Sequence, residues 1–146
     1  MFNKIQKYLL TFSLIVTMLL ISNGLILAKS QGDKNNYQLG LEYYRQAKYE
    51  EAIPELIQAV ANNPDLMYPH YILGLTYMRL DNFKSATTQL KRAHQINSNH
   101  YRVMVNLGRV YLEQNNLDQA IKILDKATTV NPQEDDAYNV LGNIYS

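Results

Sequence analysis

The sequence predicts an all-α protein: a solenoid of stacked helix pairs behind an apolar N-terminal segment. Three observations carry that expectation. A short signature, Leu39-Gly40-x-x-Tyr43, returns as Leu73-Gly74-x-x-Tyr77, Leu107-Gly108-x-x-Tyr111 and Leu141-Gly142-x-x-Tyr145, each step 34 residues long. Small and aliphatic residues follow the first three copies at constant offsets: Ala52, Ala86 and Ala120, then Leu56, Leu90 and Leu124, then Ala59, Ala93 and Ala127. Polar links separate the apolar stretches. A fixed period in this range is the mark of repeat units that bury their apolar faces against one another.

The N-terminal segment comes first. Lys4 and Lys7 precede an apolar run from Leu9 to Ala28, interrupted only at Ser22-Asn23-Gly24. A positive start followed by such a run reads as a secretory signal, with Leu9–Ile21 as its apolar core. Ala28-Lys29-Ser30 offers small residues for cleavage after Ser30. The run is also long enough to span a bilayer if it stays attached, with Lys4 and Lys7 on the inner side. Residues 1–30 are therefore expected to be a signal peptide or an N-terminal membrane anchor. Either places residues 31–146 outside the cytoplasmic membrane, with membrane contact only through residues 9–28 and only if the segment is not cleaved.

Each repeat then divides into two helices. The units are expected at 33–66, 67–100 and 101–134, with the first helix of a fourth at 135–146. Leu56 and Ala59, or Leu124 and Ala127, lie three apart and so share one helical face. Gly40, Gly74 and Gly108 remove a side chain where the second helix must approach, and Ala52, Ala86 and Ala120 do so from the other side. Gln46-Ala47-Lys48, Asp81-Asn82 and Gln114-Asn115-Asn116 link the helices within each unit. Asn63-Pro64 and Asn131-Pro132 mark turns between units, because the residue before proline avoids the helical region. Ser98 holds the corresponding place in the second unit. Pro69 falls in a first helical turn, where its missing N–H costs little. Pro54 lies about one turn into its helix and is expected to remove one backbone bond or shift the helix start.

On these residues the chain resembles the tetratricopeptide repeat family over positions 33–146, with Ser98 as the departure. The resemblance implies a right-handed α-α superhelix. About three repeats are needed for a stable core, which this chain just meets. Val140, Leu141, Ile144 and Tyr145 still want a partner at the end of the fourth signature. That end reads either as a short cap or, as we favour, as a point inside a longer array.

Composition narrows the function. Of the 14 basic residues, three (Lys4, Lys7, Lys29) stand in positions 1–30 with no acid, leaving 11 against 13 acidic residues beyond them. A net charge near −2 gives no electrostatic footprint for nucleic acid. Twelve tyrosines and no cysteine are present. The absence of cysteine removes disulfides, thiolate metal sites and a cysteine nucleophile. His70, His94 and His100 are the only histidines, and none is four residues from another, so helical metal-ligand spacing is missing. His70 shares its slot with Asn36, Met104 and Tyr138 and is expected to pack; His94 and His100 are expected to be solvent-exposed. Glu134-Asp135-Asp136 and Glu50-Glu51 open helices, where acids favour the positive end of the dipole. No catalytic constellation, phosphate loop, metal site or cofactor is expected, and no small-molecule substrate.

The resemblance further implies that the first helix of each repeat lines a concave channel for a peptide or a partner's helix. Those positions hold Tyr37, Leu41, Tyr44 and Arg45 in the first repeat. They hold Tyr68, Tyr71, Ile72, Leu75 and Arg79 in the second, and Arg102, Asn106, Arg109 and Glu113 in the third. Aromatics with arginines are the types that dominate binding hot spots. Tyr37, Ile72 and Leu75 could equally serve a helix–helix seam. Some family members clamp chaperone C-terminal carboxylates with lysines, asparagines and an arginine. Here the clamp positions hold Tyr37, Leu41, Ile72, Arg102 and Asn106, with only Arg102 keeping basic character in place, so chaperone-tail binding is not expected. The expected partner is a protein or peptide with apolar or aromatic anchors and some acidic character. Two further readings stay open: a recruiting arm of a longer enzyme cut off at Ser146, and a module that self-associates through its open C-terminal repeat.

Overall fold

The computed structural model describes the backbone of residues 4–146 and the side chains of 12–22 and 36–146. Among the described residues seven helices follow one another: α1 (Lys4–Arg45), α2 (Tyr49–Asn62), α3 (Met67–Arg79), α4 (Phe83–Ile96), α5 (Tyr101–Glu113), α6 (Leu117–Val130) and α7 (Asp135–Tyr145). Among the described residues there is no strand. The chain divides into two compact units, Met1–Asn35 and Asn36–Ser146.

In the first unit, Phe12, Leu14, Met18, Leu20 and Ile21 are all exposed. The polar groups of this stretch fold back on the helix: Thr17 and Ser22 donate to the carbonyls of Leu14 and Leu19, both at 2.9 Å. Among the described residues no helix is long and apolar enough to cross a membrane. Residues 1–11 and 23–35, and with them much of the expected apolar run 9–28 and the cleavage region, lie outside the residues whose side chains are described.

The second unit is a helical repeat solenoid. Its packing explains the repeated glycine. A Cβ on Gly40, Gly74 or Gly108 would stand 2.7, 2.8 or 2.6 Å from the Cγ of Leu56, Leu90 or Leu124. No real Cβ tolerates such an approach, so each glycine is the socket for the leucine sixteen residues later. Those three leucines, and the alanines at 52, 86 and 120, are wholly buried. Gly142 in α7 has nothing within 4 Å.

The links within the repeats share one device. Ala47, Asp81 and Asn115, again 34 apart, adopt left-handed backbone with φ of 59°, 53° and 56°. Each turn returns two hydrogen bonds to the preceding helix. Lys48, Asn82 and Asn116 donate to the carbonyls of Tyr43, Tyr77 and Tyr111 at 2.9, 2.9 and 2.8 Å. Ala47, Asp81 and Asn115 donate to Tyr44, Met78 and Leu112. This is the six-to-one and five-to-two pattern that satisfies the last carbonyls of a helix. Asn and Asp tolerate the left-handed region; alanine in it is strained. Pro54 sits inside an unbroken α2, so of the two outcomes foreseen for it the helix start does not shift.

Stacking sets the two faces apart. The backbones of α3 and α5, and of α5 and α7, come close together, whereas those of α4 and α6 do not among the described residues. The odd-numbered helices therefore form the tight edge of the stack, and the even-numbered ones fan out on the other side. The buried core runs along the join, from Leu56 and Leu73 through Leu90, Met104 and Val110 to Leu124 and Val140.

One slot recurs with different chemistry. Asn36 donates to Glu55 at 2.6 Å, and His70 meets Gln89 at 2.8 Å, each nineteen residues apart. Met104 is fully buried instead, in the cluster against which Ile123 packs. His70 is buried, as expected of a packing position, but its second nitrogen also engages the Pro64 carbonyl at 3.1 Å.

Candidate functional site: the edge of the odd-numbered helices

Tyr71 is the centre of this edge. It lies on α3 and packs against all three clusters of buried residues, yet remains partly exposed. Burial raises its hydroxyl pKa, and the nearby Arg102 guanidinium opposes that shift. Asn106 on α5 donates to the Tyr71 hydroxyl at 3.2 Å and to the Arg102 carbonyl at 2.8 Å, which fixes the amide between them. Tyr37 on α1 is half-buried, and its hydroxyl pKa is raised by burial first and by Tyr68 second. The Tyr44 side chain raises the pKa of Arg79, and the Tyr44 ring lies 5.7 Å from that of Tyr49.

His100 corrects the sequence expectation. It is not a free solvent-exposed side chain: it caps α5 by accepting from the Val103 amide at 3.3 Å. Its ring also lies 5.9 Å from Tyr68, edge-on, and 5.7 Å from Tyr71. Burial lowers its pKa, so the neutral ring is favoured between the two tyrosines. Leu66, His100 and Glu134 all stand at N-caps 34 residues apart. That register was readable in the sequence; the tyrosine contacts required the fold.

The remaining expected groove residues divide. Arg45, Tyr68, Arg79, Arg102 and Glu113 are exposed, and Leu41, Tyr44, Leu75, Asn106 and Arg109 are intermediate. Ile72 is buried with Ala52, Leu56 and Leu73, so it belongs to the helix–helix seam and leaves only 8% of its surface exposed. Leu41 and Leu75 pack against that same cluster. Arg109 is committed within the chain, since it pairs with Asp136 of α7 at 3.2 Å. Among the described residues the only other ion pair is Arg92–Asp65. Arg45, Arg79 and Arg102 thus carry no carboxylate partner there. Tyr101 supports α7 from this side: its hydroxyl donates to the Glu134 carbonyl and accepts from the Ala137 amide, both at 3.1 Å.

The result is a row of aromatic rings (Tyr37, Tyr68, Tyr71, Tyr44) flanked by arginines without acids. Rings supply apolar area at small cost in rotamer freedom, and guanidinium groups take carboxylates with two hydrogen bonds. Among the described residues no group of histidines and acids could hold a metal ion.

Comparison with known proteins follows the same geometry. Family models described as tetratricopeptide repeat and TPR repeat match residues 77–144 and 40–81. No curated protein matches the chain. The second TPR domain of human RPAP3, solved with an HSP70 peptide, is 14% identical, with a TM-score of 0.77 over 81% of this chain and 98% of that one. MamA is 25% identical, with a TM-score of 0.77 over 84% of this chain and 72% of that one. YrrB, described as a TPR protein with an unusual peptide-binding site, is 22% identical, with a TM-score of 0.71 over 75% and 57%.

Proposed function

Since the chain belongs to the tetratricopeptide repeat family, we propose that it is a protein-binding scaffold whose odd-helix edge holds a peptide or helix of a partner. The observation that carries this is the row of Tyr37, Tyr68 and Tyr71 beside three arginines that have no acid partner among the described residues. Aromatic or aliphatic anchors of the partner lie over Tyr71 and Leu75. Its acids lie near Arg79 and Arg102; at Arg109 they compete with Asp136. Peptide binding by TPR domains in this fold, as in the RPAP3 and YrrB structures, supports the reading.

The scaffold works outside the cytoplasmic membrane in this proposal, exported or anchored through the N-terminal segment. The exposed apolar side chains of Phe12–Ile21 support that placement, because such a surface is stabilised by leaving water. A reporter enzyme active only outside the cytoplasm, fused after Ser146, tests it; an inactive reporter refutes it.

Binding is tested by photo-crosslinking partners to the full chain and comparing affinities with Arg102→Glu and Tyr71→Ala variants. Arg102 is exposed, so its charge reversal leaves the fold intact. Each variant should weaken binding at least tenfold, and unchanged affinity in Arg102→Glu rejects this surface.

A further inference from the structure

The fanned-out side of the stack contains a cavity that the odd-helix edge does not explain. It measures about 480 Å³ and opens between α4 and α6. Leu107, Tyr111 and Ile123 form an apolar floor, and Lys91, Lys122 and Lys126 stand around it. All three lysines are exposed, and among the described residues none takes part in an ion pair. α4 carries no acid at all.

His94 lines the same cavity. Its Nδ1 is buried and has no hydrogen-bond partner among the described residues. Buried polar atoms are nearly always partnered, by protein or by water, so this nitrogen has a bond left to make. Burial, and then the charge of Lys126, lower the His94 pKa. A negatively charged acceptor offsets the charge of Lys126.

The preceding repeat shows that this pattern is not imposed by the fold. One period earlier, the places of Lys91, His94, Lys122 and Ile123 are taken by Ile57, Val60, Thr88 and Gln89. The place of Lys126 is taken by Arg92, which is satisfied by Asp65 at 2.8 Å and the Pro64 carbonyl at 3.1 Å. The loop that would serve Lys126 has Ser98-Asn99 where the earlier one has Pro64-Asp65. The acid is gone, and two further lysines have been added.

We propose that the cleft between α4 and α6 is a second docking site, for an acidic amphipathic helix of a partner protein. Charge complementarity selects the occupant. Lys122 and Lys126 are one turn apart on α6, about 6 Å along its axis. Glutamates four apart on a partner helix laid along α6 have the same spacing. A carboxylate on the other flank meets Lys91 and accepts from His94, and a leucine between the rows fills the cavity over Leu107, Tyr111 and Ile123. Fan-like separation of the even-numbered helices supplies the room. The site makes the protein two-sided, with partners on opposite edges of one stack.

The test uses the full chain and a fluorescent amphipathic peptide whose leucine row is flanked by glutamates at i and i+4. Anisotropy should show saturable binding, with amide shifts at Leu107 and Ile123. A Lys122→Gln, Lys126→Gln double variant should bind at least tenfold more weakly, as should a peptide with glutamine for glutamate. Arg102→Glu should leave this affinity unchanged, which separates the site from the odd-helix edge. Equal binding of the glutamine peptide, an unaffected double variant, or loss in Arg102→Glu overturns the proposal. So does an absence of binding, or sedimentation showing that a second copy of the chain already fills the cleft.

Discussion

The junction between the first and second repeats is held differently from the junction between the second and third. In the first, polar groups brace the turn. His70 spans Gln89 and the Pro64 carbonyl, while Arg92 reaches the same carbonyl and Asp65. In the second, Met104 fills the slot with hydrocarbon, and Lys126 stands at the repeat position of Arg92, where the corresponding loop has Asn99 instead of an acid. The helices, turns and glycine sockets are alike in both. Backbone architecture is therefore set by the repeated small residues, and the side chains around each junction are free to specialise. One junction has spent that freedom on bracing, and the other leaves charge available to a partner.

Truncation of the apolar junction should have the largest effect. Met104→Ala removes a wholly buried side chain and should cost about 3 kcal/mol, within the range of roughly 2–5 for such losses. Urea unfolding of the variant measures it, and a cost below about 1 kcal/mol would mean that α5 and α6 close over the gap. His70→Ala should cost less, about 2 kcal/mol, because it leaves Gln89 and the Pro64 carbonyl short of a partner that water can partly replace. If the two costs come out in the reverse order, polar bracing is the stronger device and the comparison inverts.

Asn99→Asp sharpens the contrast by giving Lys126 the acid that Arg92 already has. The pair is exposed, so it should add only a few tenths of a kcal/mol to stability. It should at the same time weaken the glutamate peptide at the α4/α6 cleft, and unaltered peptide affinity would place the peptide elsewhere.

The smallest expected effect is on pH dependence. The folded state holds His94 below its ordinary pKa of 6.5, through burial first and Lys126 second. The unfolded chain then binds the proton more readily. The stability contribution is present in full above pH 6.5 and is lost as pH falls from there through the folded value. His100 is shifted the same way by burial. His94→Gln should flatten, without abolishing, the decline in urea midpoint below pH 6.5.

Most of the repeat unit was legible in the sequence because its constraints are local and recur. The glycine sockets, the alanines opposite them and the polar links are each dictated by close helix approach or by a turn. A period of 34 exposes all of them at once. The expected edge residues were partly legible for the same reason, since position within a repeat predicts which side of the stack a side chain occupies. Ile72 shows where that stops. An aliphatic residue next to the signature leucine can face either outward or into the seam, and only the crossing of α2 and α3 buried it. His100 failed for the opposite reason: a lone loop histidine gives no signal until Tyr68 and Tyr71, in another helix, close around it.

The sequence by itself determined the repeated helix pairs, the polar turns within them and the glycines where two helices approach closely. Those depend on residues within one period. That a leucine fills each glycine socket came from the fold. Tertiary structure decided which charges are spoken for. Arg92 and Arg109 find acids 27 residues away, while Lys91, Lys122 and Lys126 meet none among the described residues. It also decided that the even-numbered helices separate enough to leave a cavity between α4 and α6. Pairing and separation across repeats depend on how far one unit is rotated against the next, and no spacing along the chain encodes that angle directly.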